Sequence, residues 1–417
     1  MAGFIDILRT GAWLTAARVR MVALALLAAS AIGAGFLVAT SDGLNDRLGR
    51  PLGTDFSNVY AAGTYVLDGE ATAPFDPARQ YAREQAIFGK ATPFYGWHYP
   101  PFFLAGAALL ALMPYALALA LWQGTTLVLY VLSIRAILLI PPPLAGKAKR
   151  EWLLVALAFP AVFVNLGHGH NGFLTAALMG AALVMLVERP ILAGVLIGCL
   201  SYKPQFGLLI PLVLGAGGHW RVFAAAAALV VFVVLAATLA FGPDVWSAFL
   251  ASTKFTRDVV LEQGDTGWHK IQSVFAWVRL WGGGITLAYA AQAAVTIAVA
   301  AALGWLWRSR AEFPLKAAAL LIGTLLATPY SLDYDLMLLA PAIAYLAADG
   351  AQRGFAPWEK TILAGLWLVP LIARPVAEAT LIPLAVPLML LAFGLLLRRA
   401  MNETSAAQAS GVLRPSA

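Results

Sequence analysis

The sequence predicts an all-α protein that crosses a membrane many times, and three observations carry the prediction. Only 12% of the 417 residues are charged, 61% are hydrophobic, and the mean hydropathy is +0.79. A soluble chain of this length carries about twice that charged fraction. Apolar runs recur at lengths close to that of a bilayer-spanning helix. The basic residues, which give a net charge of +7, lie in short segments between those runs. Placed there, they orient helices in a bilayer, so the basic balance is read as membrane topology and not as a nucleic-acid surface.

Residues 1–20 form a basic, amphipathic lead-in, and residues 21–40 are long enough to be a true first span, not a cleavable signal. Residues 41–100 are one long polar loop. Within it, the run from Asp55 to Tyr65 has the apolar spacing of a helix lying along the membrane surface. Residues 101–140, broken near Met113-Pro114, are expected to give one crossing helix and a short piece that does not cross. Further apolar runs follow at 152–165, 172–187, 191–200, 205–214, 222–241, 284–307, 315–328, 336–348, 361–373 and 381–397. Together they predict about 12 crossings, although several runs are too short to cross ~30 Å as straight helices. Short or proline-broken helices persist where protein or a watery cavity covers the backbone. A single transmembrane domain is expected over residues 1–400, and the Ser/Ala-rich residues 401–417 are expected to be a disordered cytoplasmic tail.

Orientation follows from Lys and Arg. With the N-terminus in the cytoplasm, the segments at 141–151, 188–189, 308–316 and 353–360, the Arg221 loop and Arg398-Arg399 all fall on the cytoplasmic side. The extracytoplasmic face then collects the loop 41–100, the turn 165–171, the break at Lys203-Pro204, the loop 242–283 and the turn 328–335. Four of the five histidines, His98, His168, His170 and His269, lie on that face. A multi-pass plasma (inner) membrane protein with its working site on the extracytoplasmic, periplasmic side is the expected arrangement. The one cysteine, Cys199, sits in an apolar run, so neither a disulfide within the chain nor a thiol–metal cluster can form.

Several polar residues interrupt this pattern, and each has two readings. Asp55 is a carboxylate just past the first span, where acidic groups are costly and serve function when they face a cavity; it also suits the N-cap of the surface helix. His98 and Tyr99, in Trp97-His98-Tyr99-Pro100-Pro101, either anchor at the interface or line an acceptor entrance. His170 and Asn171 lie in the glycine-interrupted turn 167–172. That turn is either ordinary or a polar lining for phosphate or sugar hydroxyls, and metal binding through His-x-His is disfavoured because no Cys or acidic residue is near in sequence. Lys203 either snorkels to the interface or meets a lipid phosphate as a point charge. Arg257, His269 and Lys270 add to that role or are solvated loop residues. Asp333 and Asp335 either stabilise a helix N-terminus or belong to a site. No phosphate-binding loop, dinucleotide fingerprint or nucleophile elbow is present, so any energy for chemistry arrives in a lipid-phosphate bond.

In this order, Asp55-Phe56 with Tyr60-Ala61-Ala62-Gly63 and Gly69, Tyr99-Pro100-Pro101-Phe102, Gly169-His170-Asn171-Gly172, Lys203-Pro204 ahead of His219-Trp220-Arg221, and Thr328-Pro329-Tyr330-Ser331 resemble glycosyltransferase family 87. This family was formerly domain-of-unknown-function family 2029, and it belongs to the GT-C membrane glycosyltransferases. The resemblance spans roughly residues 54–335. It implies a GT-C-like helical bundle and transfer of a mannose-like sugar from a polyprenyl-phosphate donor to a lipid or glycan acceptor. It also implies an acidic base in the first outer loop, matched by Asp55. Members can carry a histidine after the last motif, near Tyr334 and Asp335, and this chain has none there. Inverting displacement by such a base calls for no cofactor and assigns no metal ligand. A polytopic transporter or lipid flippase is the alternative, since broken helices and intramembrane charge suit it too; against it, the chain has no paired halves.

Overall fold

The computed structural model describes residues 2–140 and 148–409. Among them the protein is helical, and strand pairing is limited to isolated bridges such as Ile271–Leu332. Six helices are long and apolar enough to cross a membrane: α2 (Ala16–Ala39), α6 (Tyr115–Leu138), α12 (Trp220–Phe241), α15 (Ile285–Arg308), α18 (Glu359–Thr380) and α19 (Ala385–Ala409). At 1.5 Å per residue, their lengths of 21 residues or more span the ~30 Å hydrocarbon layer. A seventh span is formed if α7 (Ala148–Leu157) and α8 (Pro160–His168), bent by 46°, count as one. The bend falls at Phe159, whose extended backbone precedes Pro160.

The expected count of about 12 goes beyond these six or seven helices, and the remaining apolar runs form shorter ones. They include α9 (Gly172–Val184), α10 (Pro190–Cys199), α11 (Ile210–Ala216) and α16 (Phe313–Ala327). On α16 the residues Ala317 to Ala327 are all buried, as expected of a helix that is apolar all round. α10 and α11 are separated by 3-10 turns at Leu200–Tyr202 and Pro204–Gly207, where Pro204 withholds a backbone donor.

Residues 101–140 behave as expected, with the nine-residue α5 (Phe103–Ala111) ahead of the 24-residue α6. The first loop carries α3 (Thr54–Leu67) and α4 (Pro77–Phe88). α3 lies on α5 so closely that a Cβ on Gly63 would stand 2.1 Å from the Ala107 carbonyl oxygen. Phe56, Phe88, Tyr115, Trp97 and Tyr99 form an aromatic core beneath it. The second loop is also structured. It contains α13 (Asp244–Phe255), a π-helical turn Thr256–Glu262, the 3-10 turn Trp268–Lys270 and α14 (Val274–Leu280).

Two local expectations are corrected. Asp55 does not cap α3: Gly53, in the left-handed region at φ 68°, is the N-cap, and Asp55 sits inside the first turn. The tail is not disordered from residue 401, because α19 continues to Ala409. Arg399 and Arg353 hold Glu403 at 3.5 and 3.1 Å, and these ion pairs carry the helix onward. Residues 410–417 of the expected tail, and residues 141–147 of the expected cytoplasmic segment 141–151, lie outside the described residues. Between α16 and α18, α17 (Leu339–Arg353) follows the 3-10 segment Asp333–Leu338.

Candidate active site

Asp55 is placed by the meeting of two helix ends. α8 terminates at Gly169, which takes the left-handed conformation at φ 63°. A Cβ there would come within 2.7 Å of the Phe56 Cβ and 3.2 Å of the Gly53 Cα, so the turn after α8 presses on the start of α3. Asn165 braces the same turn. Its amide nitrogen donates to the carbonyls of Ala161 (2.8 Å) and Tyr334 (3.0 Å), and its oxygen accepts from the Gly172 amide at 3.0 Å.

The turn aims two histidines at Asp55. His170 Nδ1 lies 3.0 Å from Asp55 Oδ2, and His168 Nδ1 lies 3.9 Å from Oδ1. His168 Nδ1 is also 2.8 Å from the Thr54 hydroxyl. On its other side, His170 Nε2 is 2.9 Å from Lys203 Nζ, and Lys203 donates at 2.6 Å to Asp335 Oδ1. Asp335 Oδ2 accepts from the Leu332 amide at 3.0 Å. A charged ammonium has only donors, so Nε2 must accept, and the imidazole proton belongs on Nδ1, pointing at Asp55. Asp335, Lys203 and His170 thus form a chain of hydrogen bonds that ends in a 3.0 Å contact between His170 Nδ1 and Asp55. The Tyr334 ring stacks on His170 at 3.6 Å between centroids and fixes its plane.

Charge follows from this arrangement. Burial pulls the Asp55 carboxyl upward, but the contact with His170 and the electrostatic influence of His168, His170 and Lys203 outweigh it and hold its pKa below the ordinary value. Burial, helped by Lys203, pushes His170 down to about 4. At neutral pH the pair is therefore a carboxylate beside a neutral imidazole. Asp55 remains 19% exposed, whereas Lys203 and Asp335 are only 5% and 2% exposed.

The other predicted residues are distributed around this centre. Tyr99 accepts from the Asn171 amide at 2.8 Å, and Tyr202 and Thr175 continue the buried polar row through a 2.6 Å hydroxyl contact. His98 does not join that row; its Nδ1 is 2.9 Å from the Thr256 hydroxyl and ties the first loop to the second. Asp333 Oδ2 lies 2.8 Å from Arg374 Nε of α18, and His269 and Lys270 lie in the electrostatic neighbourhood of that pair. Arg257 stands apart. It is 54% exposed, pairs with Asp258 at 2.8 Å and Glu262 at 3.6 Å, and makes no ion pair with the Asp55 group among the described residues. Of the two cations expected at a phosphate, Lys203 is a buried ammonium engaged by Asp335 and Arg257 an exposed guanidinium engaged by Asp258 and Glu262. No group of three or more His, Cys, Asp and Glu arranged to hold a metal is found among the described residues.

Sequence reasoning did not assign His168, Thr54, Tyr334 or Arg374 to the site. For His168 a signal existed, since it shares the His-x-His turn with His170. For Arg374 it was a charge directly after an apolar run, between Pro370 and Pro375; such charges in a membrane helix mark function or pairing.

Comparison with models of protein families matches residues 97–329, more than half of the chain, to glycosyltransferase family 87. The matched stretch includes Tyr99, the His168–Asn171 turn, Lys203 and the second loop; Asp55 precedes it, and Asp333, Asp335 and Arg374 follow it. Comparisons with curated proteins and with solved structures gave no match.

Proposed function

The chain belongs to glycosyltransferase family 87, and from that premise we propose that it moves a mannose-like hexose from a polyprenyl-phosphate donor to a lipid or glycan acceptor, with Asp55 as the general base. Family membership makes the protein a membrane glycosyltransferase; the donor, the acceptor and the base are our reading. The observation that carries it is the Asp55 carboxylate, held ionised beside His170 Nδ1 at 3.0 Å while 19% exposed.

In the proposed step, an acceptor hydroxyl approaches Asp55. Its proton passes to the carboxylate as its oxygen attacks the anomeric carbon. The bond from that carbon to the phosphate oxygen breaks, and the electron pair leaves on polyprenyl phosphate. Attack opposite the leaving group inverts the anomeric centre. His170 donates to the carboxylate and fixes its direction. Lys203, held between His170 and Asp335, acts on the base through His170 and does not touch the donor. The charge distribution supports a reaction on the extracytoplasmic side of the plasma (inner) membrane, where lipid-linked donors need no soluble nucleotide.

The test is label transfer. Purified protein in liposomes should move radiolabelled sugar from polyprenyl-phosphate mannose, or from another polyprenyl-phosphate hexose, into an acceptor lipid fraction. Profiling lipids and glycans in a deletion strain identifies the acceptor, which should accumulate. Failure to use any polyprenyl-phosphate hexose, with transfer from a soluble sugar nucleotide instead, overturns the donor assignment.

A further inference from the structure

Three elements meet beside Asp333. The 3-10 turn Trp268–Lys270 runs into the bridge Ile271–Leu332, where the Gln272 amide donates to the Ser331 carbonyl at 2.7 Å. This fixes Lys270 near the segment that carries Asp333. α18 supplies Arg374, whose Nε is 2.8 Å from Asp333 Oδ2. Arg374, Asp333 and Asp55 all act electrostatically on Lys270.

These cations differ from the others near the site. The Lys203 ammonium is buried and engaged by Asp335 and His170. Arg257 is engaged by Asp258 and Glu262. Lys270 makes no ion pair among the described residues, and the one carboxylate that Arg374 meets there is Asp333. Glu378, one turn along α18, is exposed and influences His269 and Lys270 without pairing with either. Both Lys270 and Arg374 remain partly accessible, Arg374 by 35%. Burial, and next the like charge of Arg374, lowers the pKa of Lys270; an anion between them would relieve both effects. A guanidinium can offer a fork of donors to two phosphate oxygens, and an ammonium adds a point charge.

We infer that Lys270 and Arg374 form an anion subsite that takes the phosphate of the lipid-linked donor and of the polyprenyl phosphate that leaves, with Asp333 holding the guanidinium in place. The inference rests on the donor reading above. It moves the phosphate away from Lys203 and Arg257 and onto a helix, α18, that lies beyond the family match.

The experiment measures binding to purified full-length protein in detergent by thermophoresis. The probes are polyprenyl monophosphate, neutral polyprenol and inorganic phosphate. Wild type should prefer the phosphorylated lipid over the other two. Lys270→Gln, which breaks no ion pair, should weaken that binding roughly ten- to hundredfold, the cost of a lost charge-assisted hydrogen bond, and leave polyprenol binding unchanged. Arg374→Gln should do the same and Arg374→Lys should recover part of the loss. Unchanged affinity for the phosphorylated lipid in Lys270→Gln and Arg374→Lys, or equal binding of inorganic phosphate, overturns the inference. Because the readout is binding, a wild-type protein that binds the lipid phosphate but transfers no sugar would sink the transferase reading and leave the subsite standing.

Discussion

At Asp55 two roles that the sequence left open are separated by geometry. Gly53 occupies the N-cap, so a capping role is removed and the carboxylate is left to its contacts with His170 and His168. Asn is nearly isosteric and its side-chain oxygen can still accept from His170 Nδ1. Asp55→Asn should therefore keep expression and melting temperature near wild type while transfer falls by ~10²–10⁴-fold, the usual worth of a general base. Substantial transfer by purified Asp55→Asn protein would remove the base assignment. The pH profile gives a second handle. The pKa of Asp55 is depressed, so the active ionised form persists below the ordinary Asp value of about 3.9 and is lost only as pH falls through the lowered one. The stability that its contacts provide is likewise present above the unfolded value and lost on acidification. The His170 hydrogen bond is the largest lowering influence and burial the largest raising one. His170→Ala should therefore move the acid limb of kcat/KM to higher pH, with the protein still folded. A limb that stays in place would show that His170 does not set the state of Asp55.

At the scale of elements, the sequence was most legible where a helix is long and faces lipid. α2, α6, α12 and α15 appear as uninterrupted apolar runs because nothing but hydrocarbon and neighbouring helices selects their surfaces. α9, α10, α11 and α16 read as crossings for the same reason but form shorter helices, with α9 and α16 mostly buried; hydropathy does not distinguish a lipid neighbour from a protein one. The continuation of α19 was hidden because its polar residues find partners on distant helices, Arg353 on α17 above all. Arg374 was hidden likewise, its partner Asp333 lying on another element. The Asp55 loop, the His170 turn and the Lys203 break were visible as polar interruptions of apolar sequence; that Lys203 closes on Asp335 across the fold was not. The contact between α3 and α5 offers a test of how firmly the Asp55 helix is seated. Gly63→Ala would drive a methyl group into the Ala107 carbonyl, 2.1 Å away and part of a helix backbone. Overpacking of this kind costs about 1–3 kcal/mol, so the melting temperature in detergent should fall by several degrees. An unchanged melting temperature would show that α3 does not press on α5.

For the whole molecule, the polar groups separate into two ends. α17, α18 and α19 each connect them. α17 starts beyond Asp335 and finishes at Arg353; α18 starts at Glu359 and passes Arg374; α19 starts where the Ala385 amide meets Gln272 at 3.3 Å and reaches Arg399. At the end away from Asp55, Arg399 binds Asp349 at 2.6 Å and Glu359 at 2.7 Å, while Arg353 pairs with Asp349 and Glu403. From Glu359 to Arg374 a helix rises by about 22 Å, most of a bilayer core. α15 makes the same journey: Tyr289, near its start, donates to Glu262 of the second loop, and its last residue, Arg308, precedes the Arg310 loop. Arg47 and Lys254 are exposed at the Asp55 end and Arg310 at the other. If the excess of Lys and Arg faces the cytoplasm, the Asp55 end faces outward. In a Cys199→Ser background, Arg47→Cys and Lys254→Cys should react with a membrane-impermeant maleimide on intact cells, and Arg310→Cys should react only after the membrane is opened. The reverse pattern would turn the candidate base toward the cytoplasm, where sugar nucleotides are available, and a lipid-linked donor would no longer follow from the side on which Asp55 works.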